Sequence, residues 1–303
     1  MKSQLIKNFQ VTKLKKRICN IFSSIKLLLK IEILKNTLSH LLNEEKQLIA
    51  INNHLLSDQK KIKILNEQIL NDSVLQHNYL KDKGWYLSFR EQQSIDANNN
   101  PIPWYTYPAI DFAGKIIKSS YNVFEFGSGN SSLWFASKCS TIKSVEHDEK
   151  WCKYLSNKAP NNLNICYRPK QSTQNYDLKL ENLVEDYFKF FPDPEDTKEN
   201  ESYGLLSRPY LNYCTELYAS NIPYDIIVID SVARGLSSFL ASHRLAQNGY
   251  IIFDNSNWSQ YDWILNYLRS QGFGRIDFYG PGPQNNYGWC TSFLSKKFNN
   301  LYV

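Results

Sequence analysis

Glycine and proline are missing from the first 83 residues of this 303-residue chain: the first glycine is Gly84 and the first proline is Pro101. So long a stretch without backbone punctuation excludes a series of tight turns or hairpins and leaves helix as the reading. No window approaches the ~20 consecutive apolar residues of a membrane-spanning helix. The nearest run, Ile18 to Ile25, is short, is flanked by Lys and Arg, and is too weak for a signal peptide. The six cysteines (Cys19, Cys139, Cys152, Cys166, Cys214 and Cys290) include no C-x-x-C pair. This speaks against a disulfide framework or a zinc site, and for buried thiols in a reducing cytoplasm. Most of the chain also lacks a basic surplus. Residues 1–81 carry 14 Lys/Arg against 6 Asp/Glu, whereas residues 82–303 carry 21 against 23. The net +6 therefore belongs to the N-terminal arm, and a nucleic-acid partner, which calls for a basic catalytic face, is disfavoured.

The arm, residues 1–83, has a pattern of its own. Leu27, Leu34, Leu41, Leu48, Leu55, Ile62 and Ile69 recur at every seventh position. Ile31 and Leu38 lie four residues beyond that seam, and Ile51 and Leu65 lie three beyond it, a change of side like a coiled-coil stutter. Self-association into a homo-oligomer and a helical hairpin packed in cis are both open. Lys13, Lys15, Lys16 and Arg17 precede Ile18–Phe22 and suit peripheral contact with an anionic membrane surface, beside the plainer reading of a solvated charge run.

Chemistry enters at Val123-Phe124-Glu125-Phe126-Gly127-Ser128-Gly129-Asn130. An apolar run ends in two glycines one residue apart, and a helical pattern follows at once through Leu133 to Ala136. A strand, a tight glycine turn and a helix start let a ligand come close to the backbone. A second acid, Glu146, ends the next strand, about where a carboxylate meets a ribose diol in a nucleotide-binding βαβ unit. A nicotinamide dehydrogenase is the competing reading, but its third small position falls on Ser132 and it has no use for Glu125. Strands are expected at 121–126, 142–146, 163–167, 225–229 and 250–253, with a closing hairpin of 275–279 and 289–294. Runs such as Ile226–Ile229 suit parallel strands buried on both faces. Residues 84–108 read as a connector, and 109–303 as the main domain, interrupted by an insertion at about 170–222 that is a lid or a loose surface loop. The aromatic segment Pro103–Pro108 walls a substrate pocket or seals the core edge. His243 is a candidate base, though a lone helical histidine is more often a packing residue.

Over roughly residues 101–297, Glu-Phe-Gly-Ser-Gly followed by Val-Glu-His-Asp resembles the class I S-adenosylmethionine-dependent methyltransferases. The resemblance implies an α/β, doubly wound seven-stranded sheet with one reversed strand near the C-terminus, here preceded by the helical arm. It implies that Gly127, Ser128 and Gly129 cradle the methionine part of S-adenosylmethionine, that Glu125 is the acid before the loop, that Glu146 holds the ribose hydroxyls and that His147 covers the adenine. Asp230 after the fourth strand, with Asp254 and Asn255 after the fifth, is similar to the ligand set of cation-dependent O-methyltransferases of the catechol and caffeoyl-CoA type. That implies Mg²⁺ or another divalent cation on those three residues. Ser231-Val232-Ala233-Arg234 departs from the pattern, since Arg234 repels a cation and suits an anionic substrate. Asp-Asn-Ser, with Trp-Tyr-Thr-Tyr-Pro and Trp-Cys-Thr-Ser-Phe, also resembles bacterial methyltransferases of polysaccharide-type gene clusters. Without a metal, Asp254 is a direct base or a substrate hydrogen-bonder, and Asp230 and Asp254 are the catalytic candidates. The expectation is a cytoplasmic methyltransferase acting on an oxygen of a small molecule, sugar or glycan. The alternative is a non-catalytic scaffold of the same fold, assembled through the arm.

Overall fold

A computed structural model describes residues 78–171 and 180–299. The arm's sevenfold seam, its basic cluster and the self-association and membrane contact inferred from them lie outside these residues. Among the described residues no helix is long and apolar enough to cross a membrane.

The chain divides into two compact units. Of the described residues, one comprises those up to Asn100 together with Tyr279–Trp289, and the other comprises those from Pro101 to Phe278 and from Cys290. In the first, a short helix spans Trp85–Glu91. Its Trp85 stacks on Phe89 at 5.0 Å, donates through Nε1 to the Asn285 carbonyl at 2.7 Å, and lies one turn from Ser88, whose Oγ accepts from the Gln284 amide at 3.1 Å. Part of the expected connector is therefore ordered structure with partners close to the C-terminal hairpin.

The second unit is built on a seven-stranded sheet in the order β3-β2-β1-β4-β5-β7-β6. The strands are β1 (Asn122–Phe126), β2 (Thr141–Glu146), β3 (Leu163–Tyr167), β4 (Tyr224–Ile229), β5 (Leu245–Asp254), β6 (Gly274–Gly280) and β7 (Trp289–Ser295). β1 pairs in parallel with both β2 and β4, and β7 pairs antiparallel with β5, setting Asp254 opposite Thr291. The order reverses at β1, so the carboxyl ends of β1, β2, β4 and β5 face one crevice, as open α/β sheets require of a ligand site. Val123, Phe124, Ile226–Ile229 and Ile251–Phe253 are fully buried, which explains their unbroken apolar sequence. β5 begins five residues before the expected start. Its first half carries exposed Gln247 and Asn248 ahead of Gly249, a composition that reads as a turn.

The insertion is not a loose loop where it is described. Residues 180–222 form helices at Glu181–Phe190, Lys198–Ser202 and Leu211–Thr215 and bury Val184, Tyr187, Leu206, Tyr210, Tyr213 and Leu217. Tyr187 meets Phe239 at 5.5 Å, on the helix Arg234–Arg244 that follows β4. The proline-broken Phe191–Asp196 stretch is held because Asp193 accepts from the amides of Ser207 (3.0 Å) and Arg208 (2.7 Å). Glu216 ties the insertion to the sheet. Its carboxylate meets Lys143 on β2 at 2.5 Å and Arg168, just past β3, at 2.6 Å. Glu216→Ala strands the largely buried Lys143 ammonium. We expect a loss of about 2–4 kcal/mol by urea denaturation, below the full cost of breaking a buried pair because Arg168 is half exposed.

Candidate functional site

The end of β1 delivers Glu125 into the interior and Gly127 into the crevice. Gly127 has φ 94°, and a Cβ there would lie 2.6 Å from the Asp230 carbonyl oxygen. Only glycine allows the first loop to pass so close to the end of β4. Gly129 differs: its φ of −167° is ordinary extended backbone, and a Cβ would meet only Ser131.

Two glutamates flank this loop in different settings. Glu146 is the loop's staple. Its Oε2 accepts from the Ser128 amide at 2.9 Å, while Oε1 accepts from the amides of His147 and Asp148, each at 2.8 Å. His147 Nδ1 stands 3.0 Å from the same Oε1, and its ring meets Tyr210 and Tyr213 of the insertion edge-on. Oε2 keeps a lone pair for a ligand hydroxyl. Glu125 is fully buried among serines. Its Oε2 accepts from Ser132 and, at 3.2 Å, from Ser144, while Oε1 meets no hydrogen-bond partner among the described residues. Burial, partly offset by the serine hydrogen bonds, pushes its carboxyl up to about 7. Ser128 completes the group by bonding Ser144 Oγ at 2.8 Å.

The ends of β4 and β5 are knotted by Arg234. Its guanidinium donates to the Ser231 carbonyl (2.9 Å), the Asp254 carbonyl, Asp230 Oδ1 (3.2 Å) and Asn255 Oδ1 (3.1 Å). A divalent ion between Asp230 and Asn255 would need the space this cation fills. The Asp254 carboxylate is engaged elsewhere, accepting from Thr291 through Oδ1. Among the described residues no cluster of three or more Asp, Glu, His or Cys side chains could hold a metal. The expected metal set of Asp230, Asp254 and Asn255 thus does not fit a cation, because the chain supplies its own. Burial first, and then the neighbouring Asp254, hold the Asp230 carboxyl well above its usual range against the pull of Arg234.

A single open cleft of about 680 Å³ joins these parts: Gly127, Glu146, His147, Trp151, Asp230 and Ser231 line it. Of the expected site residues, Gly127, Glu146, His147 and Asp230 face the cleft, Glu125 and Asp254 lie behind it, and His243 is remote. His243 Nδ1 sits 2.9 Å from the Phe239 carbonyl within its own helix, the packing role. Sequence reasoning missed Trp151, whose Nε1 bonds the Ser128 carbonyl at 2.6 Å and whose ring stacks on Tyr154. It also missed Ser144, for which there was a signal: a small polar residue at an inward position of a buried strand.

No protein-family model and no curated protein matches the sequence. Solved structures resemble it distantly. A methyltransferase-like protein from Silicibacter pomeroyi is 17% identical over 62% of this chain and 83% of its own, with a TM-score of 0.38. An rRNA methylase from Streptococcus thermophilus is 12% identical over 61% and 92%, at 0.36. A precorrin-6y C5,15-methyltransferase from Geobacter metallireducens is 10% identical over 62% and 86%, at 0.38. At TM-scores below 0.5 these likenesses decide nothing about activity or acceptor.

Glu125 has a pH signature of its own. With its folded carboxyl at about 7 instead of 4.5, the folded chain holds a proton that the unfolded chain has released, so this residue's contribution to stability falls as pH rises across that window. Glu125→Gln removes the penalty. Urea denaturation at pH 5 and pH 8 should show the variant gaining on the native chain at the higher pH, by up to about 3 kcal/mol.

Proposed function

We propose that this chain is an S-adenosylmethionine-dependent methyltransferase that methylates an oxygen of a small molecule, sugar or glycan. One observation carries the reading: a single cleft has Gly127 in its floor, the ribose-type acid Glu146 on one side and Asp230 on the other. A cradle for a nucleoside-bearing ligand and a group that handles an acceptor's proton thus meet in one space.

The cofactor, when bound, supplies a methyl group already activated on a sulfonium. The residues that suit it are Glu125, Gly127, Ser128, Gly129, Glu146 and His147. The close backbone at Gly127, the spare lone pair of Glu146 and the ring of His147, all on the cleft, are what such a ligand needs. The protein's part in the transfer is to hold the acceptor oxygen in line and accept its proton. Asp230 is better placed for this than Asp254. It reaches the cleft, its second oxygen is not taken by Arg234, and its raised affinity for protons suits a base. Asp254 is 3% exposed and bonded to Thr291, so it serves as a support for the β5 end.

Calorimetric titration with S-adenosylhomocysteine tests the cradle: the wild type binds, and Glu146→Ala loses about 1.5–3 kcal/mol. No heat at millimolar ligand ends the reading. Turnover is then followed with labelled cofactor against a panel of sugars, small hydroxylated compounds and RNA. Asp230→Asn should cut kcat by at least about a hundredfold with cofactor affinity near normal, and EDTA should have no effect. Cofactor binding without turnover on any acceptor would point to the scaffold instead, and transfer to RNA alone would replace the acceptor class.

A further inference from the structure

The turn after β1 has a glycine on each side of Ser128, so the backbone alone does little to hold it in one shape. Ser128 is tied at every polar group it carries. Its amide donates to Glu146 Oε2 at 2.9 Å, its Oγ bonds Ser144 Oγ at 2.8 Å, and its carbonyl accepts from Trp151 Nε1 at 2.6 Å. Glu146 and Ser144 are buried on β2. Trp151 is different: it is 41% exposed, sits on the helix Glu149–Ser156 and lines the cleft beside Gly127. The helix that carries it starts from the same acid that holds the loop. Glu146 Oε1 accepts from the Asp148 amide at 2.8 Å, Asp148 Oδ1 accepts from the Trp151 amide at 2.8 Å, and the indole returns to Ser128. Ser128, Glu146, Asp148 and Trp151 thus form a closed circuit of hydrogen bonds. Tyr154 stacks on the indole at 5.2 Å and 23°, which fixes the plane of the ring.

We infer that Trp151 is a positioning residue: its indole N–H sets the Ser128 carbonyl and so holds the glycine loop, ahead of ligand binding, in the shape that floors the cleft. The inference rests on the methyltransferase reading for the identity of the ligand, but not for the hold on the loop. A loop already in its bound shape loses no binding energy to being ordered. An indole suits the task, because it carries a single donor on a large, rigid ring and commits few rotamers in reaching from helix to loop. The other two bonds to Ser128 come from the buried sheet, whereas this one comes from the cleft wall. Being 41% exposed, the ring adds little to the core, so what its donor chiefly fixes is the loop.

Two variants of the full chain test this. Trp151→Phe keeps a ring on the cleft wall and removes the donor. The benzothienyl analogue of tryptophan, incorporated at the same position, keeps both rings and replaces only the N–H with sulfur. In both, native-state hydrogen exchange at the Ser128 and Gly129 amides should quicken about tenfold, while the β4 amides and the ligand-free melting temperature stay as in the wild type. By calorimetry S-adenosylhomocysteine should bind about five- to twentyfold more weakly to both. Trp151→Phe should add much less to the loss in Glu146→Ala, where the other end of Ser128 is already released. Unchanged exchange at the loop overturns the hold, and faster exchange with unchanged affinity, or losses that simply add, overturns its part in binding. A benzothienyl protein that matches the wild type beside a weakened Trp151→Phe makes the ring and not the donor responsible, and a lowered melting temperature makes the residue merely structural; either overturns the inference. A wild type that binds no S-adenosylhomocysteine fails the methyltransferase reading itself, and exchange at Ser128 still decides whether Trp151 holds the loop.

Discussion

The crevice depends on one guanidinium. Arg234 opens the helix after β4 and is 7% exposed, yet its donors reach the carbonyls of Ser231 and Asp254 and the side chains of Asp230 and Asn255. The Arg234 amide also donates to the Gly204 carbonyl, 3.0 Å away in the insertion. One residue thus fastens β4, β5 and the insertion at the point where the site forms. Burying a charge so deeply is tolerable only when it is paired and its hydrogen bonds are met, as they are here. The arrangement also offsets strain on either side of it. Ala233 (φ 51°) and Asn255 (φ 57°) both sit in the left-handed region, which costs on the order of 1 kcal/mol or more per residue. Neither is glycine, and both lie within the segments that Arg234 holds.

Glu125 and Glu146 show how one side chain serves two ends. Each closes or nearly closes a parallel strand, and the strands are neighbours in register. Glu146 faces a turn whose three amides point at it, so its charge is satisfied from the backbone. Glu125 faces serine hydroxyls and the sheet interior, where desolvation outweighs the hydrogen bonds it receives. The first shapes the loop through three backbone hydrogen bonds. The second changes charge near neutrality and keeps an oxygen in reserve. The difference comes from burial, which the hydrogen bonds of Ser132 and Ser144 only partly offset, not from the residue type.

What the sequence made legible follows from this. The five parallel strands and the reversed pair were visible because long apolar runs and glycine turns are local signals. So were Gly127, Glu146 and Asp230, each at a strand end where the run breaks. The first half of β5 was not visible, since Gln247 and Asn248 face water where the pairing with β4 shifts register between Leu245 and Tyr250. The ordered insertion was hidden because its anchors are long-range: Asp193 to Ser207, and Glu216 to Lys143. The place of Arg234 was hidden for the same reason: it lies four residues past Asp230 and binds the Asp230 and Asn255 side chains and the Asp254 carbonyl, while the Asp254 carboxylate turns to Thr291, and strand-end spacing alone does not show that.

A cation supplied by the chain acts differently from one borrowed from solution. A bound metal can exchange a water for a substrate oxygen and hold two hydroxyls at once. Arg234 cannot, because its donors are already committed to the strand ends. It fixes the direction of Asp230 and damps its charge, while the oxygen that faces the cleft stays with the carboxylate. On the proposed reading the acceptor therefore meets a base instead of an electrophile. A site of that kind asks for a single well-placed hydroxyl, not a chelating diol. Its selectivity then rests on the direction in which Arg234 holds Asp230 against the cleft.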